Sequence, residues 1–346
     1  MKKREWELDA VRILACFMVV VIHVTGYGME IKDPAESDWA VRNIAMCIVR
    51  SAVPVFFMLS GVLFLRREIP LRTLYRKYIV HLAAVWSIWS AFYAGIDYLA
   101  SLKAGNGSWS CFLERFAQGH YHLWFLPTLL GTYLLYPLLR NLVQHSTQQQ
   151  IKYLGILVVI GVVGKHTLAP FLSGDVWNAV WDNLGFPELS SGVVYFVLGY
   201  YLYQTYTAFS AKLCFILYTG SVVLMSIINQ IWACRMKIHV SVTYDYLGLG
   251  VFTASSALFL LLLQLLKKRQ ISDKTRVRLF LLSDHTLGIY LVHTLFLEQV
   301  YRRLGLTQDG FPALISVVCF SVLTFLLSFF TVWCIRRIPV VGKKVV

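Results

Sequence analysis

Ten stretches of this 346-residue chain are apolar enough to enter a lipid bilayer, and nothing else in the sequence restricts its fold so tightly. They fall at about 10–29, 43–65, 78–101, 121–139, 151–170, 187–207, 212–232, 246–266, 279–300 and 311–335. A helix needs about 20 mostly apolar residues to cross the ~30 Å hydrocarbon layer. Composition agrees, with 58% hydrophobic and only 14% charged residues, against about 25% charged in a soluble domain. A soluble enzyme, a disordered chain and a small disulfide scaffold are thereby excluded. The expected architecture is all-α: a polytopic integral membrane bundle of about ten transmembrane helices, forming a single domain over 1–346.

The chain carries 32 Lys and Arg against 18 Asp and Glu. In a soluble protein that excess suggests nucleic acid, but in a membrane protein Lys and Arg collect in cytoplasmic loops and set orientation. With the N-terminus inside, twenty-one basic residues fall in inner segments and nine in outer ones, while Arg12 and Arg50 lie within spans. Both termini are therefore expected in the cytoplasm. The first outer loop, with Glu30, Asp33, Glu36 and Asp38, is acidic. Met1-Lys2-Lys3-Arg4 precedes the first apolar run and no small-residue cleavage site follows it, which reads as an uncleaved signal anchor. The inner loops near 66–77 and 267–278 are too short to fold alone, so function must be built from the bundle. Seven cysteines show no Cys-x-x-Cys pair; a Cys111–Cys234 disulfide is geometrically open but has no support from spacing.

An ionisable side chain inside a span costs at least ~2.5–3.5 kcal/mol on insertion scales and marks a functional position by default. Arg12 and His23 are eleven residues apart, which puts them about 20° apart around one helix and about 16 Å apart along it. Arg50 lies half-way through the second stretch, at a depth like that of His23, and Pro54 should kink the helix there and free a carbonyl. The fourth stretch opens with His120 and His122 among Tyr121 and Trp124, the ninth carries Asp284, His285 and His293, and Asp182 and Glu188 stand before Ser190 and Ser191 at the sixth. Each has a bland explanation. Arg12 can snorkel, a buried His is usually hydrogen-bonded helix glue, Tyr and Trp form interfacial belts, and Glu188 suits a helix start.

Imidazole is a suitable general base for a hydroxyl near neutral pH, and arginine supplies fixed positive charge for phosphates or a developing oxyanion. No His/carboxylate spacing in a span suits a metal, and there is no Gly-x-Ser-x-Gly elbow. Residue chemistry alone leaves acyl transfer and anion- or proton-coupled transport both standing.

The motifs resemble those of the membrane acyltransferase-3 family over nearly the whole chain. They are Asp9-x-x-Arg12 with His23, Val53-Pro54-Val55-Phe56-Phe57-Met58-Leu59-Ser60-Gly61, His122-Leu123-Trp124-Phe125 with Pro137, Tyr195-Phe196-Val197-Leu198-Gly199-Tyr200, and Ser283 through His293. The chain length, with no appended esterase-like domain, looks like the short subgroup that O-acetylates surface glycans or their lipid-linked precursors. That resemblance implies acetyl-CoA as acyl donor from the cytoplasm, a saccharide acceptor on the outer side, and a bacterial cell membrane as location. It carries Arg12 over as a donor-binding residue and His23 as the catalytic histidine; beside them Arg50 is expected to help hold the acceptor or intermediate, with His122 and His293 as second-line polar partners. The family's Arg-x-x-Arg is replaced here by Arg72 and Arg76, four apart, with Lys77 beside them; together they are expected to form a basic phosphate cradle with Arg66 and Arg67. Neither a metal nor nucleic acid is implied. The rival expectation is a transport or small-molecule uptake domain without acyl chemistry, as in the serine-uptake part of membrane racemases, lowered by the lack of a pyridoxal-phosphate domain after residue 346.

Overall fold

The computed structural model describes residues 4–30, 32–172, 177, 179, 181, 183, 189–238, 242–306 and 310–339. Among them there is no strand. Fourteen helical segments order the described chain: α1 (Trp6–Met29), α2 (Ser37–Val49), α3 (Ala52–Leu65), α4 (Leu71–Lys103), α5 (Trp109–Gln118), α6 (Phe125–Leu134), α7 (Tyr136–His145), α8 (Gln148–Leu168), α9 (Ser191–Thr205), α10 (Ala211–Met236), α11 (Leu249–Lys267), α12 (Asp273–Asp284), α13 (Thr286–Arg303) and α14 (Ala313–Ile335). The chain is a multi-pass membrane protein.

Seven of these units are long and apolar enough to span a bilayer: α1, α2 with α3, α4, α8, α10, α11 and α14. α12 and α13 make an eighth if their 51° bend lies within one span. Seven or eight of the ten expected crossings are thus supported, and the other two windows are interrupted locally. The window at 121–139 is a short 3₁₀ turn followed by α6 and α7, which part at Leu135, where Pro137 opens the next helix. The window at 187–207 yields the fifteen residues of α9. Asp182 and Glu188 lie outside the described residues, as do Lys2, Lys3, Lys343 and Lys344.

Helix starts follow capping chemistry. Ser108, Thr147, Ser190, Ser210 and Ser272 each accept a hydrogen bond from the amide three residues on, and Gln150 completes a capping box with Thr147. Inside the bundle, small residues set the spacing. A methyl group added at Gly61 of α3 would lie 1.8 Å from the Phe196 carbonyl oxygen of α9, and one at Gly199 of α9 would lie 2.3 Å from Met58 Cα. The two helices cross backbone to backbone because both glycines lack a side chain.

α1 is the axis of the molecule, packing against α2, α3, α11, α12, α13 and α14. Its most apolar stretch is 67% buried and that of α2–α3 is 72%, against 17% for α8 and 22% for α10. Residues of α1 are therefore placed to carry a site inside the bundle.

Candidate functional site

At the α1 end that holds Arg4 and Arg12, side chains of α1 and α3 enclose a cavity of about 280 Å³. Its lining includes Arg4, Arg12, Arg66 and Arg67 together with Glu5 and Asp9. Asp9 organises it. One carboxylate oxygen accepts Ser283 Oγ at 2.5 Å, Arg4 Nη2 at 2.8 Å and Arg12 Nη1 at 3.0 Å, and the other accepts Arg4 Nε at 2.8 Å. Arg4 reaches on to Asp284 at 2.8 Å, and Arg336 donates to the Asp284 carbonyl at 2.6 Å. Three arginines thus gather where α12 ends at the 51° bend, and cations at a helix C-terminus are favoured by its dipole. Arg12 is only partly covered, so its guanidinium faces the cavity while Asp9 holds it. Arg72, Arg76 and Lys77, on the first turns of α4, are exposed and do not line this cavity; Arg66 and Arg67 do.

About 16 Å along the same face of α1, His23 enters a cluster of imidazoles. Its ring centroid lies 4.9 Å from that of His293, 5.5 Å from Tyr121 and 6.3 Å from His122. His122 and His293 are 5.4 Å apart and almost fully buried. Hydrogen-bond chemistry assigns their tautomers. His293 Nδ1 faces the Tyr290 carbonyl at 2.7 Å, and a carbonyl only accepts, so Nδ1 carries the proton and Nε2 keeps its lone pair. His120 Nε2 lies 3.2 Å from a Glu298 carboxylate oxygen, and its Nδ1 lies 2.7 Å from His122 Nδ1. Through Nε2 His120 donates to Glu298, and its Nδ1 then accepts from His122 Nδ1–H. His122 Nε2 then also bears a lone pair. Neither Nε2 has a hydrogen-bond partner among the described residues.

Rings and hydroxyls lock this cluster. Tyr93 stacks on His120 with centroids 4.3 Å apart, while its hydroxyl donates to the Leu291 carbonyl and meets Thr294 Oγ1 at 2.8 Å. The Tyr290 hydroxyl donates to the His122 carbonyl. Phe296–Val300 forms a π turn. Its i→i+5 bonds widen the helix and carry Glu298 towards the cluster, a geometry often found at functional sites.

Arg50 sits where α2 and α3 part. Pro54 has no amide hydrogen to give the Arg50 carbonyl, and the helix breaks at Arg50–Ser51. The freed side chain donates to the Tyr244 carbonyl at 2.7 Å and lies 4.2 Å from the Tyr246 ring. That loop is itself tied down: Tyr244 hydroxyl donates to Asn43 at 2.7 Å, and Tyr195 hydroxyl to the Tyr246 carbonyl at 2.5 Å. Among the described residues no carboxylate forms an ion pair with Arg50; Asp245 feels its charge from a distance, as does His23.

Five sequence-marked residues therefore fall in two sites on α1's face: Arg12 in the arginine-lined cavity, and His23, His122, His293 and nearby Arg50 in the imidazole cluster. Glu298, His120, Tyr93, Tyr121 and Tyr290 complete the second, and sequence reasoning left them unassigned. Glu298 had a readable signal, being a carboxylate inside the apolar window 279–300. Asp284 and His285 lie at the basic end, Asp284 on Arg4 and His285 Nδ1 on the Leu281 carbonyl. No three His, Cys, Asp or Glu side chains among the described residues converge in a way that could hold a metal ion.

Comparison with known proteins bears on the chemistry. The chain is 24% identical over 310 residues to an amino-acid racemase of Enterococcus faecalis, covering 85% of this chain and 42% of the racemase. It thus spans less than half of that relative. No solved structure matches it. An acyltransferase domain of the acyltransferase-3 type, by contrast, matches from residue 5 to residue 333. That match takes in both the arginine-lined cavity and the imidazole cluster, and the chain belongs to the acyltransferase-3 family.

Proposed function

We propose that the protein is a membrane O-acetyltransferase that moves an acetyl group from cytoplasmic acetyl-CoA to a hydroxyl of a cell-surface or lipid-linked saccharide, in the cell membrane of a bacterium. The observation that carries the reading is α1 itself, with an arginine-lined cavity around Arg12 and an imidazole cluster around His23 on one face. The ~16 Å between them suits an extended pantetheine arm. The excess of Lys and Arg in the inner segments supports a cytoplasmic position for the Arg12 end and for both termini.

In this reading Arg12, Arg66 and Arg67 bind the donor's phosphates, and the exposed Arg72, Arg76 and Lys77 add longer-range attraction. The acceptor oxygen attacks the thioester carbonyl, the C–O bond forms and the C–S bond breaks. His23 takes the hydroxyl proton and returns it to the departing thiolate, with His122 and His293 beside it as alternative acceptors. Arg50, which has no ion-paired carboxylate among the described residues, stabilises the carbonyl oxygen as it becomes negative.

The rival is a transport or uptake domain, for which the weak similarity to a racemase is the support. Purified protein incubated with acetyl-CoA labelled in its acetyl group separates the two. A transferase consumes the thioester and labels a saccharide, whereas a transporter leaves the thioester intact. His23→Ala is expected to lose transfer by about 10²–10⁴-fold while donor binding persists. A well-folded His23→Gln variant with near-normal turnover would leave His23 as a structural residue only.

A further inference from the structure

A second cavity, of about 300 Å³, opens beside the imidazole cluster, away from the arginines of the basic end. It is lined by Tyr93, Ala94 and Asp97 of α4, by Arg115 and Gln118 of α5, and by the Gly119–Tyr121 turn. On α4, Tyr93 and Asp97 are four residues apart and share a face; on α5, Arg115 and Gln118 are three apart and do likewise. α5 is a short helix laid across α4 and pinned there, with Ser90 Oγ donating to the Phe116 carbonyl at 2.6 Å. Gly119 holds φ at +73°, a left-handed conformation in which a side chain would be strained.

Two features of this cavity suit a ligand. Asp97 and Arg115 have opposite charges and line one space, yet among the described residues neither makes a side-chain hydrogen bond or ion pair with the other or with any neighbour. Its inner wall is also the cluster: His120 and Tyr121 line it, and the Tyr121 ring lies 5.5 Å from that of His23. A molecule seated here therefore lies against the same Tyr121 ring that packs on His23.

We propose that this cavity is the acceptor subsite and that it takes a neutral polyhydroxyl ring, with Asp97 and Arg115 as its specificity-determining residues. The proposal rests on the acetyltransferase reading and adds where the acceptor sits. Hydroxyl groups both donate and accept, so one sugar ring satisfies the acceptor-only carboxylate of Asp97 and the donor-only guanidinium of Arg115 together. Tyr121, 52% exposed in the same lining, offers an aromatic wall for the ring's C–H face. The cavity's size is at the lower bound of small-molecule pockets, which fits a single sugar ring. A zwitterionic amino acid would use the same two charges but leave the aromatic wall without a role.

The test uses the full chain in detergent, acetyl-labelled acetyl-CoA, and three probes: methyl α-D-glucopyranoside, the methyl glycoside of N-acetylglucosamine, and L-serine. Asp97→Asn and Arg115→Gln are compared with the wild type; both residues are exposed, so the fold should survive, as thermal unfolding will verify. Loss of a hydrogen bond to a charged group is expected to raise the KM for glycoside about tenfold or more, with kcat and the KM for acetyl-CoA within twofold of wild type. Unchanged glycoside KM in both variants overturns the subsite. Wild-type transfer to serine alone, lost in both variants, overturns the saccharide as its occupant. Wild type that consumes the thioester yet acetylates no glycoside overturns the saccharide reading of the protein itself.

Discussion

His122 and His293 present two buried Nε2 lone pairs within one cluster, and each is oriented by a different device. His293 is fixed by a carbonyl on its own helix, whereas His122 depends on His120 and, through it, on Glu298. Glu298→Gln replaces an acceptor-only carboxylate with an amide that also donates, so the His120 tautomer is no longer fixed and His122 can carry its proton on Nε2 and lose that lone pair. Transfer is expected to fall on the order of 10²-fold, with acetyl-CoA binding unchanged, as a titration of the donor against detergent-solubilised variant will read. Full activity in Glu298→Gln would remove the relay from the mechanism. Depth in an apolar window was enough to single out His23 and Arg50 from sequence. It did not reveal the company they keep, because His120, Glu298 and Tyr93 come from three separate segments and meet only in the folded bundle. Arg42, counted with the loops by its position, is in fact fully buried in α2, its guanidinium packed on Gly28.

At the scale of elements, the crossing of α3 and α9 is the least forgiving contact. Gly61→Ala sets a methyl group against the Phe196 backbone, which has no rotamer to move, so the helices must separate. A cost of about 1–3 kcal/mol or more follows for overpacking of this kind, visible as a lowered unfolding temperature in detergent. Gly131, which has open space around its Cβ position, is the control that should accept Ala without loss. Both glycines of the crossing stand in the motifs that carried the family resemblance, Phe57-Met58-Leu59-Ser60-Gly61 and Phe196-Val197-Leu198-Gly199, so their importance was legible while their mutual contact was not. Hydropathy likewise located helices but not their breaks. The split at Arg50 follows from Pro54 and was readable; the bend at Asp284–His285 has no proline within α12 or α13 and follows instead from the ties that Asp9, Arg4 and Arg336 make to α12's end.

Taken whole, the molecule concentrates its ionic contacts at one end. There Glu5 joins helices that are distant in sequence: Arg66 donates to it at 2.8 Å, the Tyr203 hydroxyl donates to its other oxygen, and Lys267 lies 2.8 Å from that same hydroxyl. Burial pushes the Glu5 carboxyl up, but the hydrogen bonds from Tyr203 and Arg66 and the charges of Arg66 and Lys267 outweigh it and hold the group below its usual range. A carboxyl lowered in the folded state stabilises fully above its unfolded pKa of about 4.3 and loses that contribution as pH falls through the folded value. Unfolding temperature should therefore drop on acidification below about pH 4.3, and more steeply in the wild type than in Glu5→Gln; parallel profiles would exclude Glu5 as the source. The glycine crossing has a further consequence, for synthesis. Gly61 leaves the ribosome about 135 residues ahead of its partner Phe196, and at about 5–20 residues per second that is an interval of roughly 7–27 s. Throughout it, α3 stands in the bilayer with its notch unfilled. The core around Arg12 and His23 closes late, only after more than half of the chain has been made, and an insertion chaperone able to occupy a glycine notch has that interval in which to act.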